Sequence, residues 1–202
     1  MNTKKSTYHH GNLREVLISS ALDILKEGTL QDLSLRALAR KAGVSQTAPY
    51  RHFEDKEALI VVLMLEGSSI LQERMRLACE QANNPVERLI NLGLAYYDFA
   101  EAHPAHFRLM FDGSLEKKDK YQDLIESEKI GRDIVQSVVS ECMKLENAPN
   151  KPDDLVRLAS WSLVHGLANL LLNDVNNDMP DQDQKRTVAK EVISLYTRSL
   201  FE

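Results

Sequence analysis

Residues 33–59 read LSLRALARKAGVSQTAPYRHFEDKEAL. Ser34 is a good N-cap for a helix that carries Leu35, Leu38, Ala39 and Ala42 on one face. Gly43 suits the left-handed residue that ends it, and Val44 is the apolar residue of the turn. Ser45 then caps a second helix with Gln46, Thr47 and Ala48 in its first turn. Two short helices joined by a tight turn with a central glycine form a helix-turn-helix. The second is crowded with Gln46, Thr47, Tyr50, Arg51 and His52, too polar for a core element and chemically suited to base edges and phosphates. Pro49 lacks the N–H that would bond to Ser45, which predicts local strain near the helix start. Asp55 caps the next helix, and Lys56 in its first turn opposes the macrodipole. That misplaced cation is explained if a phosphate approaches the same helix end.

Working outward, Leu13, Leu17, Ala21, Ile24 and Leu25 form an apolar stripe, opened by Asn12 and Glu15 in capping-box spacing and closed by Gly28. This is the support helix for the helix-turn-helix. From Asp55 a connector helix runs to about Gln81. Asn84-Pro85 and His103-Pro104 break the chain on either side of a helix through Leu89, Leu92, Tyr96 and Phe99. A short helix through Phe107, Met110 and Phe111 follows, then a polar loop over 112–120, a helix over about 121–145, a strongly apolar helix over 155–172, a loop over 173–183 and a last helix over 187–201. No segment alternates with period two, so the fold class is all-α, with about nine helices. A head, residues 1–56, precedes a body, residues 57–202. Residues 1–11 form an arm with Lys4, Lys5, Tyr8, His9 and His10, either a minor-groove contact or a free terminus.

Net charge is −5, but unevenly spread. The first 56 residues hold nine Lys and Arg against six Asp and Glu, and the remainder sixteen against twenty-four. A basic head on an acidic body orients a protein on a polyanion. Cys79 and Cys142 sit in apolar helical segments and form no disulfide or zinc pattern. His103 and His106 lack further metal ligands in sequence. No phosphate-cradling loop or nucleophile elbow is present, so neither a cofactor nor catalysis is expected. The polar start gives no signal peptide, and no apolar run reaches the ~18 residues of a membrane span, so a cytoplasmic protein is expected.

The run GVSQTAPYRHFEDKEAL resembles the DNA-binding domain of the TetR family, with its Gly-Val turn, short recognition helix and Tyr-x-His/Phe-Phe-x-x-Lys-x-x-Leu continuation. The resemblance implies a one-component regulator that binds a near-palindromic double-stranded DNA operator. Its contacts are Ser34, Arg36, Ser45, Gln46, Thr47, Tyr50, Arg51, His52 and Lys56. It further implies a homodimer, a small-molecule effector and the repressor sign, with activation left open. A helical protein–protein adaptor and a small enzyme are the rival classes. Trp161, His165 and Gly166 match the Trp-x-x-x-His-Gly signature of one subgroup, either as packing residues or as a pocket wall. Gly166 is expected to admit a close helix crossing. Candidate effector contacts are Tyr96, Phe99, Phe107, Met110, Phe111, Trp161, His165 and Asn169, with a solid aromatic core as the alternative. The dimer face is expected on the last two helices, through Leu163, Leu167, Leu170, Ile193 and Leu200.

Overall fold

The computed structural model describes residues 13–111, 113, 115, 118–173 and 181–202. The arm with Lys4, Lys5, Tyr8, His9 and His10, and the Asn12 cap, lie outside the described residues. So does part of the 112–120 and 173–183 loops. The described chain holds eight α-helices: α1 (Leu13–Glu27), α2 (Leu35–Lys41), α3 (Lys56–Glu80), α4 (Pro85–Ala102), α5 (Pro104–Phe111), α6 (Gln122–Cys142), α7 (Asp153–Leu172) and α8 (Gln182–Phe201). Two 3₁₀ turns, Pro49–Arg51 and Lys118–Lys120, complete it, and no strand occurs among the described residues.

The head forms from local signals. Ser34 Oγ accepts from the Ala37 N–H at 3.1 Å and caps α2. At the other end Gly43 has φ +68°. The Val44 N–H donates to Ala39 O at 3.0 Å and the Gly43 N–H to Arg40 O at 3.3 Å, the Schellman arrangement that satisfies the last carbonyls. Asp55 caps α3 by accepting from the Ala58 N–H at 2.8 Å. Leu17, Ala21 and Leu25 of α1 are buried against Leu33, Leu35, Leu38, Phe53, Leu59 and Leu63.

The segment after the turn differs from the α-helix that the sequence predicts. The Ala48 N–H donates to Ser45 O, the Arg51 N–H to Ala48 O and the His52 N–H to Pro49 O, at 3.0, 3.2 and 2.9 Å. These are i to i+3 bonds, and the helix is a 3₁₀ turn with Pro49 at its first position. Pro49 is the cause, since it cannot supply the i to i+4 bond. The Ser45 carbonyl is taken by Ala48 instead, so the bond that Pro49 cannot supply is replaced and no strain needs to be invoked. Eight α-helices rather than nine follow from this.

α3 leaves the head and enters the body. Leu59, Ile60, Leu63 and Met64 belong to the head cluster, and Leu71 and Met75 to a second cluster built on α4, α6, α7 and α8. α4 is the centre of that second cluster, with Tyr97, Phe99 and Ala100 fully buried. It ends where the sequence predicts, at His103, and Pro104 starts α5. α5 serves both clusters: Ala105 and Leu109 join the head, and Phe107 joins the body. α8 begins at Gln182, inside the stretch read as loop, because the Asp181 side chain accepts from the Gln184 N–H at 2.7 Å.

Two helix crossings depend on a missing side chain. A Cβ at Gly67 would lie 2.8 Å from Met110 Sδ and 2.9 Å from His106 Cβ; one at Gly93 would lie 2.9 Å from Ile193 Cγ2 and 3.1 Å from Val164 Cγ1. Gly166, expected to be such a site, has nothing within 4 Å of that position. Ile193 also departs from expectation: it is buried at 2% exposure in the body cluster. The exposed large apolar residues of α7 and α8 are Leu155, Leu158, Trp161, Leu170 and Leu195. α7 is the one described helix long and apolar enough to cross a membrane by composition, with mean hydropathy 1.4, where the sequence reading expects none.

Gly93→Ala is expected to cost about 1–3 kcal/mol by overpacking against Ile193 and Val164. Gly131→Ala, on α6 with open space around it, is expected to gain up to about 1 kcal/mol from helix propensity. Urea denaturation of both variants checks the contrast, and equal effects would contradict the α4–α8 crossing.

Burial sets a pH dependence. It pushes His103, His106 and His165 below the ordinary 6.5, aided at His103 by the Arg74 guanidinium. His106 Nε2 stands 3.8 Å from Glu66 Oε2, and both atoms are buried without a hydrogen-bond partner. Below pH 6.5 the unfolded chain binds more protons at these sites than the native one. Their stabilisation is present above 6.5 and lost as pH falls through the lowered native values. Thermal melts at about pH 7.5 and about pH 5.5 are expected to show a lower Tm at the acid end, partly flattened in His106→Gln. A Tm that rises on acidification would contradict the buried neutral imidazoles.

Candidate DNA-reading face and effector core

The helix-turn-helix buries one side and leaves the other bare. Pro49 and Phe53 point their bulk into the head, while Ser45, Gln46, Thr47, Tyr50, Arg51 and His52 are exposed. Tyr50, 53% exposed, is the largest apolar body on this face. Arg36 on α2 is exposed as well. Among the described residues no side-chain hydrogen bond or ion pair engages Gln46, Tyr50, Arg51 or Arg36. Their donors and acceptors are free for a ligand, and a cationic, amide-bearing protrusion suits a duplex groove. Ser45 Oγ and Thr47 Oγ1 are 3.2 Å apart, and Ser34 Oγ is occupied as the α2 cap.

Lys56 has a partner inside the protein. Its ammonium donates to Leu30 O at 2.5 Å, tying α3 to the α1–α2 connection, near the Asp32 carboxylate. Asp32 accepts from the Thr29 N–H and hydroxyl at 2.8 Å each, which hold its carboxyl below the usual range. Lys56 therefore fastens the head internally and keeps further donors for an outside acceptor.

In the body, five of the eight effector candidates form one aromatic cluster. Tyr96 meets Phe107, Phe111 and His165 at ring separations of 5.8, 6.1 and 6.2 Å. Trp161 lies 6.3 Å from Phe111 and 5.4 Å from His165. The Tyr96 hydroxyl and His165 Nδ1 are 2.8 Å apart. Burial raises the Tyr96 hydroxyl well above its ordinary value and lowers His165, so both groups are held neutral and share one hydrogen bond whose donor follows the imidazole tautomer.

The cluster separates two spaces. One is a small, half-open pocket of about 50 Å³, lined by Tyr96 and Trp161 with Leu92, Gly93, Val164 and Tyr196. The other is a cleft of about 370 Å³, lined by Phe107, Phe111, His165 and Asn169 from the body and by Leu25, Gly28, Thr29 and Leu30 from the head. Phe99 and Met110 line neither. Phe99 is fully buried and stacks on His103 at 5.5 Å, and Met110 fills the α3–α5 crossing at Gly67. Both serve packing there. The sequence alone does not single out Arg108, which also lines the cleft. Its only signal is a lone cation in the short apolar helix PAHFRLMF. Among the described residues no group of three His, Cys, Asp or Glu stands close enough to hold a metal.

Two family models match the chain. Residues 17–63 match "Bacterial regulatory proteins, tetR family" and residues 89–195 match "Tetracyclin repressor-like, C-terminal domain". The chain is also similar to a protein of unknown function from Rhodococcus sp. RHA1, at 29% identity and TM-score 0.81, over 98% of this chain and 100% of that one. It shares its fold with the ketosteroid transcriptional regulator KstR2 of Mycobacterium tuberculosis, at 19% identity and TM-score 0.73, over 98% and 97% of the two chains. The regulator FadR of Bacillus subtilis, solved with stearoyl-CoA, matches at 17% identity and TM-score 0.73, over 91% and 97%. The exposed polar turn on a buried helical head and the matches across both halves lead to one conclusion: the chain belongs to the TetR family of bacterial regulatory proteins and acts as a DNA-binding transcriptional regulator, not as an enzyme.

Proposed function

We propose that this regulator is a homodimeric repressor of the cytoplasm that binds a near-palindromic operator and leaves it when a small apolar or amphipathic effector enters the body. The observation that carries the DNA half is the bare face of Arg36, Gln46, Tyr50, Arg51 and His52 on a buried backing. One such face spans too few base pairs for useful specificity, so two copies are needed. The division into a DNA-binding head, residues 1–56, and a regulatory body, residues 57–202, draws support from there being two buried clusters, although Leu59, Ile60, Leu63 and Met64 of α3 join the head cluster across that boundary. The dimer face is best supported on α7 and α8, where Leu155, Leu158, Leu170 and Leu195 are exposed together with the open side of Gly166. Leu163, Leu167 and Leu200 are half-buried there and flank that face. The aromatic cluster and its two bordering spaces support an effector site in the body. What KstR2 and FadR are named for belongs to those proteins; an apolar effector here rests on the lining residues.

Selection from a random duplex pool is expected to return a sequence with two related half-sites about 34–36 Å apart or at whole-turn multiples. Gln46→Ala should flatten preference at one position per half-site, a loss of about 1–3 kcal/mol of discrimination. Lys56→Ala should weaken all sequences alike and lower the salt slope by about one for each phosphate no longer neutralised. Reversal of these two phenotypes, or no sequence enrichment at all, would contradict the assignment.

Leu158→Glu and Leu195→Glu are expected to convert a dimer in light scattering to monomers and to abolish operator binding while the helix content is kept. A wild-type chain that is monomeric at micromolar concentration would remove the paired half-site reading.

A further inference from the structure

We propose that the cleft between the end of α1 and the α5–α7 pair binds a small amphipathic monoanion, with its acid group on Arg108 and its apolar part against Phe107, Phe111 and Leu30. This deepens the effector reading and rests on it only for the consequence at DNA. The volume, about 370 Å³, falls in the range of small-molecule sites. The walls are apolar apart from a few convergent polar groups, and those groups define the ligand.

Arg108 is the one strong charge on the lining. Its Nη2–H donates to Leu25 O at 3.0 Å and its Nε–H to Pro104 O at 3.3 Å. Both acceptors are neutral carbonyls, and among the described residues no carboxylate pairs with it. Arg88, Arg186 and Arg198 in the same body are each paired with an acid. A guanidinium in this position keeps its full charge and spare donors, which a carboxylate fits bidentately. His165 Nδ1 is taken by Tyr96, and among the described residues Nε2 has no hydrogen-bond partner, so this ring nitrogen is open to a ligand. The Asn169 amide nitrogen is spent on His165 O at 2.8 Å.

The opposite side of the cleft limits the charge. The Asp32 carboxylate lies beside Gly28, where a Cβ would be 2.7 Å from Oδ2. Asp32 is satisfied by Thr29 but still repels a second negative charge, which favours one acid group over two. A cation would meet Arg108, and a neutral amphiphile would leave it unpaired.

The position couples binding to the head. The Arg108–Leu25 bond runs from α5 of the body to the last turn of α1 in the head. A carboxylate on the spare Nη donors draws the guanidinium toward itself and so pulls on the bond to Leu25 O. Filling the cleft therefore acts on a direct link between head and body.

Decanoate and decanol, which differ in the acid group, are suitable probes. Trp161, the only tryptophan, neighbours Phe111 and His165 of the lining, so its fluorescence reads occupancy. The wild type is expected to bind decanoate at least about tenfold more tightly than decanol, the usual gain from a charge-assisted hydrogen bond. Arg108→Gln should erase that preference by weakening decanoate alone, with decanol binding as the internal check on folding. Arg108→Lys should keep most of the preference, and it decides the case if the Gln variant loses both ligands. Equal binding of the probes, no decanoate binding, or a preference that survives Arg108→Gln overturns the proposal. Gel shift of a selected duplex without decanoate tests the DNA reading separately: a protein that holds the duplex but ignores decanoate loses only this cleft assignment.

Discussion

The close approach of α5 to α3 at Gly67 is the contact on which the rest of the molecule depends. No side chain larger than hydrogen fits there without a shift, since Met110 Sδ and His106 Cβ would stand closer to an added Cβ than van der Waals contact allows. Toward the N-terminus from Gly67, α3 is buried among head residues; toward the C-terminus it is buried among body residues. α5 likewise has Ala105 and Leu109 in one cluster and Phe107 in the other. Close-packed interiors pass displacements on rather than absorb them. A body that changes shape near Phe107 therefore shifts the helix that carries Leu59 and Leu63 under the DNA-reading turn.

The reading turn itself is held by backbone chemistry more than by side-chain packing. The Schellman end of α2 and the three successive i to i+3 bonds after Ser45 fix its path. Pro49 and Phe53 anchor it to the head. The side chains of Gln46, Tyr50 and Arg51 thus need no internal partners, and among the described residues they have none, while Ser45 and Thr47 bond to each other. Lys56 reinforces the arrangement from beneath through Leu30, the same residue that borders the cleft. The cleft proposed for the effector and the scaffold of the reading turn meet at that loop.

Local features were legible in the sequence and crossings were not. Ser34, Gly43, Asp55 and Pro104 each act within a few residues, and each stands where its chemistry predicts. The 3₁₀ form of the reading turn was missed because a lone proline admits several ways to satisfy the Ser45 carbonyl. Gly67 and Gly93, not Gly166, make the tight crossings, and only the relative rotation of the helices decides that. Ile193 faces inward for the same reason, on a helix whose apolar positions cover more than one face. Of the effector candidates, the cluster of Tyr96, Phe107, Phe111, Trp161 and His165 does assemble. Phe99 and Met110 share their composition but fall on the packing sides of α4 and α5. Arg108 carries its meaning through a backbone carbonyl far away in sequence, which no local pattern reveals.

The proposed coupling of head and body runs through α3, α5 and the Arg108–Leu25 bond, and thermodynamic linkage offers the most direct test. Trp161 fluorescence titration of decanoate into the free protein and into its complex with a selected duplex yields two affinities. The account predicts weaker decanoate binding in the complex, by the same factor by which saturating decanoate weakens the duplex, roughly 5–150-fold for typical coupling energies. Identical decanoate affinities with and without DNA would contradict it.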